Sequence, residues 1–354
     1  MPSSLECIYL DRGASLVRHY ATDVVNHFGN PIQEIEVLRN RVGLLDVSYN
    51  DRLKVTGNDA VDLLNRLSTN QLEGMETGSV RWTIITTPKG RIMDVIKVAK
   101  MEDHLFVGVS PQRAQFIIDW IDFYTFGEDI RVEDISQHTI EFAVIGPGAE
   151  AVLSAFGPNC NMSENNTCGI AICSGQEVTV VRSDMKSSPR VNVICSGSTA
   201  EVVWRTLLGI GESEKIEAVG YQAADFLRVS LGIPMYGFEL DDKVDPLTAG
   251  LLDYVNFDKG CYIGQEVVAR LNTYQKVKKK LMMIDLDGLA TIGDELYYDE
   301  LSIGKLTSIA SVEMGKSKAL GYVKKGYATP GLACTIGEAS SARGLVIREC
   351  SMTG

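Results

Sequence analysis

The chain has 354 residues, 45% hydrophobic and 23% charged, which excludes a disordered polypeptide and leaves room for two or three domains at about 150 residues each. A formal net charge of −12 argues against broad binding to phosphate backbones, so nucleic acid is not an expected partner. No apolar run reaches the roughly 20 residues of a membrane helix, and Met1 to Asp11 lacks the basic start and apolar stretch of a signal peptide; no membrane association is expected, and the expected location is the cytoplasm.

The first pattern along the chain is an internal repeat. Leu53-Lys54-Val55 precedes Gly57, Ala60, Leu63 and Leu64; Phe142-Ala143-Val144 precedes Gly146, Ala149, Val152 and Leu153. Each time a strand of period two meets a glycine and passes into a helix of period 3.6. Further on, Phe106 to Ser110 leads into a helix with Phe116, Ile117 and Trp120, and Val193 to Ser196 leads into one with Val202, Val203, Trp204 and Leu207. The spacing predicts two α+β repeat units, about residues 50–137 and 138–220. Between the helices of the first unit, Val80 to Thr87 and Ile92 to Lys100 flank the turn triplet Pro88-Lys89-Gly90, predicting a hairpin. In the second, Glu177 to Arg182 and Arg190 to Cys195 flank the polar stretch Ser183 to Pro189.

A helix is predicted over Tyr221–Leu231, followed by the loop Gly232-Ile233-Pro234-Met235-Tyr236-Gly237. From Leu281 short strands dominate: Leu281 to Asp285, Leu296 to Tyr298, Ile303 to Ser308, Ala319 to Val323 and Leu345 to Ile347. Together these elements predict an α+β fold, with a small antiparallel β-barrel or sandwich at 281–354 after a larger region at 1–275. The basic run Lys276 to Lys280 marks the junction and reads as a solvated segment, or as a contact for an acidic group.

Eight cysteines, at 7, 160, 168, 173, 195, 261, 334 and 350, form no C-x-x-C pair, and the four histidines form no H-E-x-x-H. Neither a zinc site nor a resident iron–sulfur cluster is expected. The densest chemistry lies in Lys259-Gly260-Cys261-Tyr262-Ile263-Gly264-Gln265-Glu266. Two glycines permit a tight turn, Gln265 and Glu266 suit the start of a helix, and a cation such as Lys259 beside Cys261 favours the thiolate. Read without further context, the same octet is a loop before a helix with Cys261 as filler. Asp94 reads as a solvated residue just beyond a hairpin turn, Arg228 as a surface arginine on a helix, and Tyr236 as a packed tyrosine or a stacking surface.

The octet resembles the K-G-C-Y-x-G-Q-E string of YgfZ-type proteins, a branch of the glycine-cleavage T-protein (aminomethyltransferase) superfamily. Gly43 to Ser48, Lys54 to Ala60, Gly90 to Asp94 and Leu231 to Gly237 resemble superfamily segments in the same order. The resemblance implies two related α+β subdomains and a C-terminal barrel around a central folate pocket. It implies tetrahydrofolate, or its methylene, formyl or methyl form, as cofactor, and a role in assembly or repair of iron–sulfur enzymes, with their client or assembly proteins as partners. Cys261 and Asp94 then become candidate catalytic residues. Asp94, Arg228, Tyr236, Lys259, Gln265 and Glu266 become candidate folate-binding residues, and the Lys276–Lys280 run a contact for a polyglutamate tail. The aminomethyltransferase segment G-Y-T-G-E has no counterpart in Val181 to Arg190, where Asp184 is the available carboxylate. The alternatives are a folate-dependent aminomethyl- or methyltransferase served by a lipoyl carrier protein, and a non-catalytic binding module with a vestigial pocket.

Overall fold

Both halves of the repeat fold as strand, helix, three strands, helix, strand. The computed structural model describes residues 4–154, 156, 162, 164–186, 188–209, 216–274, 276–313, 316–337 and 342–352; Cys160 and Ser187 lie outside the described residues. The chain forms two compact units of interleaved segments. The first comprises Met1–Asn65, Leu72–Trp82 and Ile96–Ala224; the second comprises Arg66–Gln71, Thr83–Val95 and Asp225–Gly354.

The chain opens with α1 (Ser4–Asp11), β1 (Ser15–His19), β2 (Thr22–His27), α2 (Pro31–Asn40) and β3 (Val42–Asp46). Asn30 caps α2, its side chain accepting from the Ile32 and Gln33 amides, with Pro31 at the first helical position. The first repeat follows as β4 (Asp51–Thr56), α3 (Ala60–Leu67), β5 (Val80–Thr86), β6 (Ile92–Lys100), β7 (Leu105–Val109), α4 (Ala114–Phe123) and β8 (Arg131–Asp134). The second is β9 (Thr139–Ile145), α5 (Ala151–Ser154), β10 (Thr167–Cys173), β11 (Gln176–Arg182), β12 (Arg190–Ser196), α6 (Ala200–Gly209) and β13 (Ile216–Ala218). The sheets have the orders β5-β6-β7-β4-β8 and β10-β11-β12-β9-β3-β13. The first five strands of the second order match the first, with β3 standing where β8 stands, and β13 adds a sixth strand beyond it.

The repeat glycines have a common cause. Gly57 and Gly146 both lie in the left-handed region, at φ 111° and 128°. A Cβ on Gly57 would collide with the Asp129 carbonyl, and one on Gly146 with that of Arg41. The turn between strand and helix runs against backbone in both copies, and only glycine fits.

Strand alternation divides the second sheet into two faces. Phe142, Val144, Val191, Val193 and Cys195 pack with Trp204 of α6 and with Tyr9 of α1. On the opposite face Cys168, Val181 and Ile194 meet Val80, Ala99, Met101 and Phe106 from the first sheet. With both faces covered, these strands read as near-continuous apolar runs.

After α7 (Tyr221–Leu231), which enters the second unit at Asp225, α8 (Gln265–Tyr274) precedes β14 (Lys279–Gly288), β15 (Glu295–Tyr298), β16 (Leu301–Glu313), β17 (Lys316–Lys324), β18 (Ala333–Ile336) and β19 (Ala342–Glu349). The six strands close into a barrel in the order β14-β17-β16-β15-β18-β19. Met282, Ile284 and Leu286 point inward at every second position, joined by Leu296, Ile303, Leu306, Val323, Ile336 and Val346. Closure leaves no open edge on a sheet this small. The fold is α+β with a C-terminal antiparallel barrel. Among the described residues, no helix is long and apolar enough to cross a membrane.

Candidate functional site

Within the second unit, three pieces of chain far apart in sequence are tied together by backbone. The segment 66–71 is held on one side by β5, through Thr69 N to Ile84 O at 3.0 Å and Asn70 N to Thr83 Oγ1 at 2.8 Å. On the other side Ile263 N donates to Arg66 O and Asn256 N to Thr69 O, each at 3.0 Å. Lys259 completes the seam. Its buried ammonium donates to the carbonyls of Ser68 at 2.8 Å and Asn70 at 2.7 Å.

The octet loop is also fastened to the β5–β6 hairpin. Thr86 Oγ1 donates to Ile263 O at 2.5 Å. Gly264, at φ 85°, lies so close that a Cβ would meet Thr87 O and the Gly90 Cα. Past the turn, Arg91 pairs with Asp245 at 3.0 Å and Ile92 N donates to Val244 O at 2.9 Å. The hairpin carrying Asp94 and the loop carrying Cys261 therefore form one backbone-linked assembly.

Asp94 is not the solvated turn residue that its position suggests. It is 0% exposed, and its Oδ1 accepts the Val95 amide at 2.8 Å. A carboxylate taken out of water in mid-strand is costly to hold unless hydrogen bonds or a ligand compensate it, and such positions are enriched in function. Cys261 is exposed, and Lys259 beside it in sequence directs its ammonium to the Ser68 and Asn70 carbonyls. Gln265 and Glu266 begin α8 as expected, Gln265 half-buried and Glu266 exposed in the first turn.

Arg228 sits inside the second unit with its side chain 10% exposed, not on a helix surface. Its Nε donates to Asp225 Oδ1 at 2.7 Å, Nη1 to Ile233 O at 3.0 Å and Glu239 Oε2 at 2.9 Å, and Nη2 to Ser308 Oγ at 2.9 Å. Glu239, with its side chain 0% exposed, also accepts Ser308 Oγ at 2.5 Å and the Met235 amide at 3.1 Å. This network fixes the loop from Ile233 to Glu239, on which Tyr236 is half-buried. In the basic run, Lys276, Lys278 and Lys279 are exposed, and Lys280 pairs with Glu349.

The first unit contains a buried polar cluster that the sequence reading missed. Arg52 on β4 is 0% exposed and donates to the carbonyls of Asn50, Ser136 and Thr139 at 2.5, 2.8 and 3.1 Å. Glu141 on β9 lies 3.9 Å from Arg52 and 3.6 Å from Lys97 on β6, and accepts Asn192 Nδ2 of β12 at 2.6 Å. Two charges inside the apolar run of β6, Asp94 and Lys97, ahead of Lys100 at its end, are the available signal, because such interruptions are rare in a strand buried on both faces. Asp184, the carboxylate available in the second repeat, accepts the Arg190 amide at 3.0 Å and lies 3.6 Å from Arg182. Among the described residues, no group of three His, Cys, Asp or Glu side chains is arranged to hold a metal.

Comparison with known proteins places this geometry in context. The GCVT N-terminal domain matches residues 6–259. A chloroplastic protein of Arabidopsis thaliana named as a transferase is 30% identical over 89% of this chain and 73% of its own length. An aminomethyltransferase of Thermoanaerobacter sp. (strain X514) is 28% identical over 88% of this chain and 81% of its own. The crystal structure of the glycine cleavage system aminomethyltransferase T from Bartonella henselae superimposes with a TM-score of 0.86 at 19% identity, covering 99% of this chain and 97% of that one, a likeness of fold.

Proposed function

The chain belongs to the family of the GCVT N-terminal domain, and on that premise we propose that it binds tetrahydrofolate and supports assembly or repair of iron–sulfur clusters in client enzymes. The observation that carries this reading is the joining of the octet loop, with its exposed thiol, to the hairpin that buries Asp94. The donor set fits a reduced folate: a buried carboxylate suits a ring N–H, and the half-buried Tyr236 ring suits a flat heterocycle. Bound tetrahydrofolate supplies ring nitrogens able to carry a one-carbon unit. Asp94 would hold a folate N–H by hydrogen bond and would favour positive charge beside its carboxylate. Arg228 acts as a positioning residue, holding the Tyr236 loop through Glu239 and the Ile233 carbonyl. Lys259 fixes the octet backbone so that Cys261 faces solvent, available to a client protein.

Anaerobic titration with tetrahydrofolate tests the pocket. Asp94→Asn is expected to weaken binding at least tenfold, a change of about 1.4 kcal/mol. Cys261→Ala is expected to bind folate normally yet fail to restore cluster-enzyme activity in cells lacking the gene. Full restoration by that variant would remove the thiol from the mechanism. The absence of any reduced-folate affinity would leave a vestigial pocket.

A second reading, a folate-dependent one-carbon transferase, is favoured by the buried Asp94 together with the aminomethyltransferase relatives. Formation of methylene- or methyl-tetrahydrofolate from an aminomethyl-lipoyl carrier or a small methylated donor would establish it.

A further inference from the structure

The face of the first unit where its two sheets meet is apolar at one end and cationic at the other. Val80, Ala99 and Ile194 lie in the apolar part. Two residues along the same strands, and so on the same face, stand Trp82, Lys97 and Asn192. Lys97 is 7% exposed, and its only ion-pair partner among the described residues is Glu141, at 3.6 Å. That carboxylate is shared with Arg52 at 3.9 Å and already accepts Asn192 Nδ2 at 2.6 Å. The lysine stem crosses Gly108, its register partner on β7, and the ammonium sits 5.9 Å from the centre of the Trp82 ring. Trp82 is itself fixed by its indole N–H, which donates to Ser183 Oγ at 2.7 Å.

Arg190 enters the same cluster from β12. Its Nε donates to Asn192 Oδ1 at 3.1 Å and its Nη1 meets the Met185 sulfur at 3.3 Å. Among the described residues it makes no ion pair. Burial pushes the pKa of both Lys97 and Arg190 down, against the opposing pull of the nearby Glu141 carboxylate. Arg52, Lys97 and Arg190 gather around Glu141, and the imbalance is one that a bound anion would relieve.

We propose that Lys97, Arg190 and Asn192, backed by Trp82, form a binding site for a small oxyanion, a carboxylate or phosphate group. The ammonium supplies three donors to a point charge, and the Arg190 fork supplies Nη2 toward an oxygen pair. Neither the octet nor Asp94 takes part, so the proposal does not rest on the folate reading.

The test is thermal unfolding of the full chain in acetate or inorganic phosphate, against chloride of equal ionic strength. A ligand that binds the folded state alone raises the midpoint with its logarithmic concentration. Wild type is expected to respond, with Lys97→Met and Arg190→Gln each weakening the apparent affinity at least tenfold. Unchanged or raised stability of Lys97→Met without anion would match a lysine held for a ligand. A wild-type midpoint that does not move beyond the chloride control would overturn the proposal, whatever the variants do. An undiminished anion response in both variants would overturn it equally. Titration with 5-formyltetrahydrofolate then separates the sources. Loss of folate affinity in Lys97→Met, with Asp94 intact, assigns the anion to a folate carboxylate, and unchanged folate affinity assigns it to a free small acid or phosphate.

Discussion

Arg228 in the second unit and Lys97 in the first are both buried cations, and they are partnered in opposite ways. In the second, Arg228 meets two carboxylates, a carbonyl and a hydroxyl, and Glu239 is completed in turn by Ser308 and the Met235 amide. In the first, Lys97 reaches a shared carboxylate at 3.6 Å, and Arg190 holds an amide oxygen and a thioether. A saturated network fixes a loop in one geometry, whereas an unsaturated one keeps donors in reserve. Burial alone does not separate these cases; the count of partners does.

The contrast can be broken most decisively at Glu239. Glu239→Gln leaves Arg228 buried with its strongest partner neutralised, and is expected to cost about 3–5 kcal/mol in urea unfolding. A loss below about 1 kcal/mol would mean that Asp225 suffices and that the network is less tightly coupled than its geometry. Ser308→Ala removes a hydroxyl that both donates to Glu239 and accepts from Arg228, and should cost about 1.5–3 kcal/mol by the same measurement.

Lys97 is expected to show the smallest effect and the opposite sign. Its pKa is lower in the folded state than in the unfolded one, so the unfolded chain binds more protons between the two values. Stability referred to this group therefore rises as pH increases through the depressed pKa toward about 10.4, and is absent below it. The difference in unfolding free energy between wild type and Lys97→Met should move in favour of wild type from neutral pH to about pH 10. Buried Tyr9, Tyr254 and Tyr322, whose pKa values are raised, act in the other direction in both proteins and cancel in that difference.

Much of this architecture was legible because local pattern and final environment agree. The repeat shows in sequence since Gly57 and Gly146 meet the same steric demand, and the barrel strands alternate because one face is inside. β18 (Ala333–Ile336) escaped notice because four residues carry too little pattern. The elements from β1 to α2 were not singled out either, although Asn30-Pro31 is a helix-start signal.

Of the candidate site, the hairpin and octet were legible as motifs, but their junction was not. It is made by backbone hydrogen bonds from the segment 66–71 and by the absence of a side chain at Gly264, which no spacing reveals. Arg52 was hidden for another reason. Alternation along β4 sets it opposite Leu53 and Val55 and so toward water, but that side of the strand is covered too.

The interleaving of segments bears on how the protein comes off the ribosome. Every residue of the first unit has been made once Ala224 is added, while Arg66–Gln71 and Thr83–Val95 belong with residues synthesised only later. At ordinary elongation rates those two stretches wait on the order of ten seconds before the barrel strands follow. Through that interval the far end of the β5–β6 hairpin, with Asp94 on it, is a nascent surface without its Gly264 and Ile263 contacts. The site is therefore assembled only after the first unit has been made, by the part of the chain that carries Cys261.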